Sequence, residues 1–163
     1  MHIVVKNKFL NIGNYKVKCA VGKRGIKIKK KEGDFITPKG KFRINHLYYR
    51  ADRIKGLKAN IKKTKIKKNM GWCNDSKSKY YNKLVKLPIN HTFEKLHRSD
   101  NLYDIILVLN YNINPIRKNK GSAIFIHVAA KNYKKTEGCI ALKKKDLRKI
   151  LRLINKKTIV KVT

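Results

Sequence analysis

At 163 residues, 42% of them hydrophobic, the chain is long enough to bury one real core and too short for two domains of ordinary size, so residues 1–163 are read as a single domain. No apolar run approaches the roughly 18 residues of a membrane span, and the opening stretch alternates like a strand and holds no signal-peptide core. The net charge is +34, from 43 basic residues against nine acidic ones, a balance that draws polyanions and acidic ligands inward through a long-range field.

The segments "HIVVKNKFLNI" and "YKVKCAV" flank a turn at Gly13 and Asn14 and read as a hairpin. Tyr15, Val17, Cys19 and Val21 share one face by the two-residue strand period, which puts Cys19 in the core. Pro38 and Gly40 punctuate a loop before a strand-like run from Lys41 to Arg50. Residues 51–70 are polar and read as a surface loop. "NLYDIILVLN" and "SAIFIHVA" are dense apolar runs that read as central strands, parted by the Asn and Pro turn of "NYNINP", with His127 at the end of the second. Within "KKKDLRKILRLINKK", Leu147, Ile150, Leu151 and Ile154 recur at helical spacing, and lysines take the other face; this one helix is expected to pack on the sheet by its apolar stripe. "TIVKVT" closes the chain as a last strand, so the fold class is mainly β with one C-terminal helix.

Cys19, Cys73 and Cys139 are odd in number and widely spaced, which indicates neither a disulfide framework nor a CxxC metal pair. Chemistry concentrates in "IHVAAKNYKKTEGCIAL", residues 126–142. A thiol attacks carbonyls as thiolate and needs a base and nearby backbone N–H groups for the developing oxyanion. His127 stands where a strand presents it, and Gly138 permits the turn that would leave the amides around Cys139 free to donate. Spacing alone leaves the alternative open, a buried structural Cys139 and a satisfied core His127.

The same stretch resembles the catalytic signature of the L,D-transpeptidase (YkuD-type) domain, in which a histidine precedes a Ser/Thr-His-Gly-Cys element. Here that element is Thr136, Glu137, Gly138 and Cys139, followed by "IALKKKDLRKIL". Upstream, "KKEGDFITPKGKFRI" is similar to the family's Gly, Thr-Pro, Gly, Phe stretch, with Gly33, Thr37, Pro38, Gly40 and Phe42 in order. "YYRADR", "GWCND", "YYNKLVKLP" and "NLYDIILVLN" agree with a proteobacterial branch of it. The resemblance covers nearly the whole chain. It implies a mixed β-sandwich or barrel, a Cys139 thioester acyl-enzyme on peptidoglycan stem peptides, His127 as the base, and the Gly138 and Cys139 amides as the oxyanion site. It also implies a monomer that needs no metal and no other cofactor, and an enzyme of the cell envelope or periplasm, although the chain opens without an export signal.

Two positions depart from that pattern. Glu137 replaces the family's usual histidine, and Ala141 stands where an arginine is common. Thr136 and Glu137 are therefore candidate modulators, with Glu137 expected to face His127 or an incoming amine. Substrate anchoring passes to other groups, of which Arg50, Arg98 and a groove-walling Trp72 are candidates. His46, His91 and His97 are expected on the surface or in loops, and Cys73 is expected to be inert.

Three function classes compete: a transpeptidase, a hydrolytic variant of the same site acting as carboxypeptidase or amidase, and a basic nucleic-acid-binding protein. The last rests on charge alone. Of the 43 basic residues 35 are Lys, although Arg is the better bidentate partner for phosphate and base edges. Lys, Ile and Asn fill 71 of 163 positions and share AT-rich codons, so base composition accounts for the lysine coat. With no RNA-binding aromatic motif and no helix-turn-helix pattern, no specific nucleic-acid partner is expected.

Overall fold

The computed structural model describes residues 1–163. In chain order the elements are β1 (His2–Lys6), β2 (Phe9–Ile12), β3 (Tyr15–Lys18), β4 (Ile26–Lys27), β5 (Thr37–Pro38), β6 (Gly40–Tyr49) and β7 (Lys63–Lys65). They continue with β8 (Met70–Cys73), β9 (Leu84–Lys86), β10 (Phe93–Lys95), β11 (Ile105–Leu109), β12 (Phe125–Val128), β13 (Ile140–Leu142), α1 (Lys144–Leu153) and β14 (Ile159–Val162).

One large sheet runs β13-β12-β11-β6-β14-β1-β2-β3, with β7 also on β6. Its ends nearly meet: just beyond β3, Ala20 exchanges both backbone hydrogen bonds with Ala141 of β13, at 2.8 and 2.9 Å. The result is an almost closed, barrel-like sheet, mainly β as the alternating sequence implies. A separate antiparallel sheet, β10-β8-β9, leans on one side of it.

Strand pleating builds two cores at once. Successive side chains point to opposite faces, so Ile105, Leu107 and Leu109 of β11 enter the main core while Ile106 and Val108 enter a second one shared with Tyr48, Trp72, Leu96 and Tyr103. On β12, Ile126 and Val128 face the main core and Phe125 the second. The helix, with Leu147, Ile150 and Leu151, and the extended residue that caps it, Ile154, close the main core, each at most 1% exposed, and each such burial contributes roughly 2 kcal/mol. Tyr15 OH donates to Asp146 Oδ1 at 2.8 Å and ties the first turn of α1 to β3.

Two expectations need correction. "HIVVKNKFLNI" is not one strand: Asn7, at φ +56°, makes a turn that folds β2 back antiparallel on β1, so the N-terminus is a three-strand meander. Asn tolerates the left-handed region through its short polar side chain. Residues 51–70 are also more than a surface loop, since Ile54, Leu57, Ile66 and Met70 are buried and β7 pairs with β6. The lysines between them disguise the apolar anchors.

Candidate active site

β12 and β13 run parallel with His127 opposite Ala141, so Cys139 precedes that partner by one full pleat on the same face. Ordinary strand spacing and rise put the two Cα atoms roughly 8 Å apart, within reach of a thiol and an imidazole that point the same way. Both line one cavity of about 430 Å³.

Four short contacts set the cysteine turn. Thr136 N–H donates to Val21 O at 3.0 Å and Lys23 N–H to Thr136 O at 2.9 Å, which clamps the segment to residues 21–23, between β3 and β4. Thr136 Oγ1 donates to Cys139 O at 2.5 Å and accepts from Gly138 N–H at 3.2 Å. Gly138 has φ +147°, and a Cβ there would stand 2.9 Å from Ile36 O, so only glycine fits. The Thr-Pro stretch and the Gly-Cys element, far apart in sequence, are thus pressed together backbone to backbone. Gly22 is under the same restriction, since its Cβ would meet Phe35 O at 2.4 Å.

Cys139 is half-buried, and its Sγ donates to Ala123 O at 3.1 Å while accepting from Phe125 N–H at 3.3 Å. Burial, and after it the Glu94 carboxylate, push the thiol up to about 12, against the pull of Phe125 N–H and Lys29. His127 is buried, and burial pushes its imidazole down to about 4. Its Nδ1 lies 2.8 Å from Val128 O. A carbonyl only accepts, so Nδ1 carries the proton and Nε2 keeps a lone pair for a base. Tyr103 packs edge-on to the imidazole at 5.4 Å and fixes its plane. At neutral pH the resting pair is therefore thiol and neutral imidazole.

The two amides expected for an oxyanion differ. Gly138 N–H is engaged by Thr136, whereas Cys139 N–H has no partner in the protein. Glu137 is exposed on the cavity wall, and its charge raises the Cys139 thiol.

The anchoring candidates separate. Arg98 lines the cavity, stacked 5.2 Å over Tyr103, with Nε and Nη2 on Asp100 at 2.9 and 2.6 Å and Nη1 without a partner. Arg50 does not line it: it is 4% exposed, bound to Asp52 and, through Nη1, to Arg98 O at 2.6 Å. Trp72 does not wall the groove either. All of β8 is buried, and Trp72 packs at 5.3 Å against Phe125 with Nε1 donating to Asn82 Oδ1 at 2.9 Å. Its strand face, invisible before the register is known, turns it inward. Cys73 is fully buried, and Cys19 lies in the main core with its thiol pushed up to about 12 by burial.

Sequence reasoning passed over Glu32, Glu94, Lys29 and Tyr103, all of which line the cavity. One signal is present in the sequence: the chain has only three glutamates, at 32, 94 and 137.

A nearly closed β domain that presents a cysteine and a histidine on one face of a parallel strand pair is a scaffold for thiol chemistry in a cleft. The family model of the L,D-transpeptidase catalytic domain (YkuD) matches residues 2–162, and the chain belongs to that family. Its activity is accordingly of the L,D-transpeptidase type, directed at peptidoglycan of the cell wall. No curated protein matches the chain. No helix is long and apolar enough to cross a membrane, and no group of three or more His, Cys, Asp or Glu side chains could hold a metal ion.

Proposed function

We propose that this domain is a cysteine acyltransferase of peptidoglycan stem peptides in the cell envelope, with Cys139 as nucleophile and His127 as base. The observation that carries the reading is the placement of both side chains on one strand-pair face lining one cavity. In the first half-reaction Sγ bonds to the stem-peptide carbonyl carbon while His127 Nε2 takes the thiol proton. The carbonyl oxygen gains the negative charge beside the free Cys139 N–H. The C–N bond to the terminal D-alanine then breaks, and His127 returns its proton to the departing amine. A second stem's amine attacks the thioester, gives a proton to His127, and releases the crosslinked product with the thiol restored. Thr136 shapes the turn, Glu137 tunes the thiol, and Arg98 Nη1 is the candidate donor to a substrate carboxylate.

Muropeptides incubated with the purified protein and read by mass spectrometry test this. Crosslinked dimers are the expected product. Trimmed monomers would assign water as the acceptor and make the domain a carboxypeptidase, and unchanged muropeptides would remove the reading.

A further inference from the structure

The outward side of the large sheet is divided. Over β11, β12 and the end of β6 the β10-β8-β9 sheet covers it, through the second core that joins Tyr48, Ile106, Val108 and Phe125 to Trp72. Over the first half of β6 and over β14, β1, β2 and β3 no part of the protein covers it. Each of these strands turns alternate side chains to the main core and the other set to solvent. Strand register lines that outer set up: Lys41, Lys161, Val4, Asn11 and Lys16 follow one another across all five strands. A second row sets Phe9 between Lys6 and Lys18, and Arg43 stands opposite Ile159.

All the charge on this face is positive and unpaired. The five strands contain no acidic residue, and none of these lysines, nor Arg43, takes part in an ion pair of the fold. The acidic residues are placed elsewhere: the glutamates line the catalytic cavity, and the aspartates are held in ion pairs or, for Asp146, by Tyr15 OH. Lys41 and Lys161 are direct cross-strand neighbours, an arrangement of like charges that costs stability in the free protein. Phe9 adds an apolar element: it is 43% exposed, with Lys16 Nζ 4.7 Å over its ring. Base composition sets how many lysines the chain has, but register gathers these on one uncovered face.

We propose that the outer face of β6, β14, β1, β2 and β3 docks on an anionic phospholipid surface. Its width of five strands, on the order of 20 Å, suits an extended partner. Lysine is a point charge without the planar fork of arginine, so it matches headgroup phosphates that present charge without fixed geometry. Phe9, standing outward between Lys6 and Lys18, gives the face an apolar side chain to place at the headgroup boundary. A nucleic-acid duplex would meet the same charges but has no apolar layer to receive that ring. None of the face residues lines the catalytic cavity, so docking and chemistry use separate surfaces. The proposal goes beyond the acyl-transfer reading and does not depend on it.

Cosedimentation with vesicles of phosphatidylcholine, alone or with about a third phosphatidylglycerol, at about 0.15 M salt tests this. The protein is expected to pellet with the anionic vesicles and to stay in solution with the neutral ones. Replacing three face lysines together, Lys16→Gln, Lys41→Gln and Lys161→Gln, should weaken partition about a hundredfold, on the order of fivefold for each charge. A control of the same net charge, Lys83→Gln, Lys86→Gln and Lys95→Gln beside the small sheet, should lose no more than about tenfold, since only long-range attraction changes. The face triple should melt no lower than the wild type, because Lys41 and Lys161 no longer repel each other. Phe9→Trp should shift its emission to the blue on anionic vesicles, against the constant signal of the buried Trp72. Equal losses from the two triples, no blue shift, or duplex DNA bound more tightly than vesicles through the same three lysines overturns the proposal. Acylation of Cys139 is followed separately by intact mass and should be the same in the face triple, so failure of docking and failure of the acyl-transfer reading are told apart.

Discussion

A Cβ on Gly138 would stand 2.9 Å from the carbonyl oxygen of Ile36, so the cysteine turn rests directly on the backbone that leads into β5. Gly138→Ala forces both a clash with backbone and a side chain into φ +147°. The expected cost is roughly 1–3 kcal/mol, seen as a lower Tm, with slower labelling of Cys139 because the turn moves away from His127. An unaltered melt and labelling rate would show that the contact yields freely.

Only one of the three thiols borders the cavity, which sets the outcome of a cysteine series. Cys139→Ala should abolish thioester formation. Cys19→Ala and Cys73→Ala should retain it and lose about 1–2 kcal/mol of stability, since each sits fully packed. Mass spectrometry after exposure to a carbapenem, which the family resemblance makes an acylating probe, reads the first effect and denaturant unfolding the second. Acylation of Cys19 or Cys73 in native protein would reassign the nucleophile.

The surroundings of Cys139 predict the shape of its alkylation curve. With the thiol pushed up to about 12 by burial and Glu94, the iodoacetamide rate should keep climbing through the alkaline range instead of levelling near neutrality. Glu94→Gln should shift the curve to lower pH. Glu137→Gln should do the same by less, its carboxylate being exposed and screened by water. A curve that levels near pH 7 would mean that thiolate and imidazolium already exist at rest.

Stability should report on His127 as well. Its imidazole is held down to about 4 in the fold against 6.5 when free, so between those values the unfolded chain binds the extra proton. Stability is whole above pH 6.5 and falls as pH drops toward 4, by up to about 3 kcal/mol. Urea unfolding across that window should show the loss in the wild type and a flatter profile in His127→Asn, which cannot titrate. Equal slopes would place the protonation elsewhere.

What could be read from the sequence was local. The apolar runs of β11 and β12, the stripe on α1 and the closeness of His127 to Cys139 all depend on neighbours in the chain, and periodicity reports those directly. What could not be read depended on register and convergence. Trp72 and Arg50 look as available as Arg98 until strand pairing decides which face is inward. Glu32 and Glu94 meet Cys139 only because the loop before β5 and strand β10 approach it from different sheets. Asn7 concealed a turn because its flanks alternate as one strand would.

The place of β14 in the large sheet constrains how the domain is made. It lies between β6 and β1, antiparallel to the first and parallel to the second, so residues 159–162 supply the seam that joins the two halves. During synthesis β6 and the N-terminal meander emerge early and have no edge to share until that strand arrives. Pairings so distant in sequence form slowly, and the waiting edges are open to misassembly or capture by a chaperone. The large sheet therefore cannot close until residues 159–162 are in place, and its two halves stay unjoined until then.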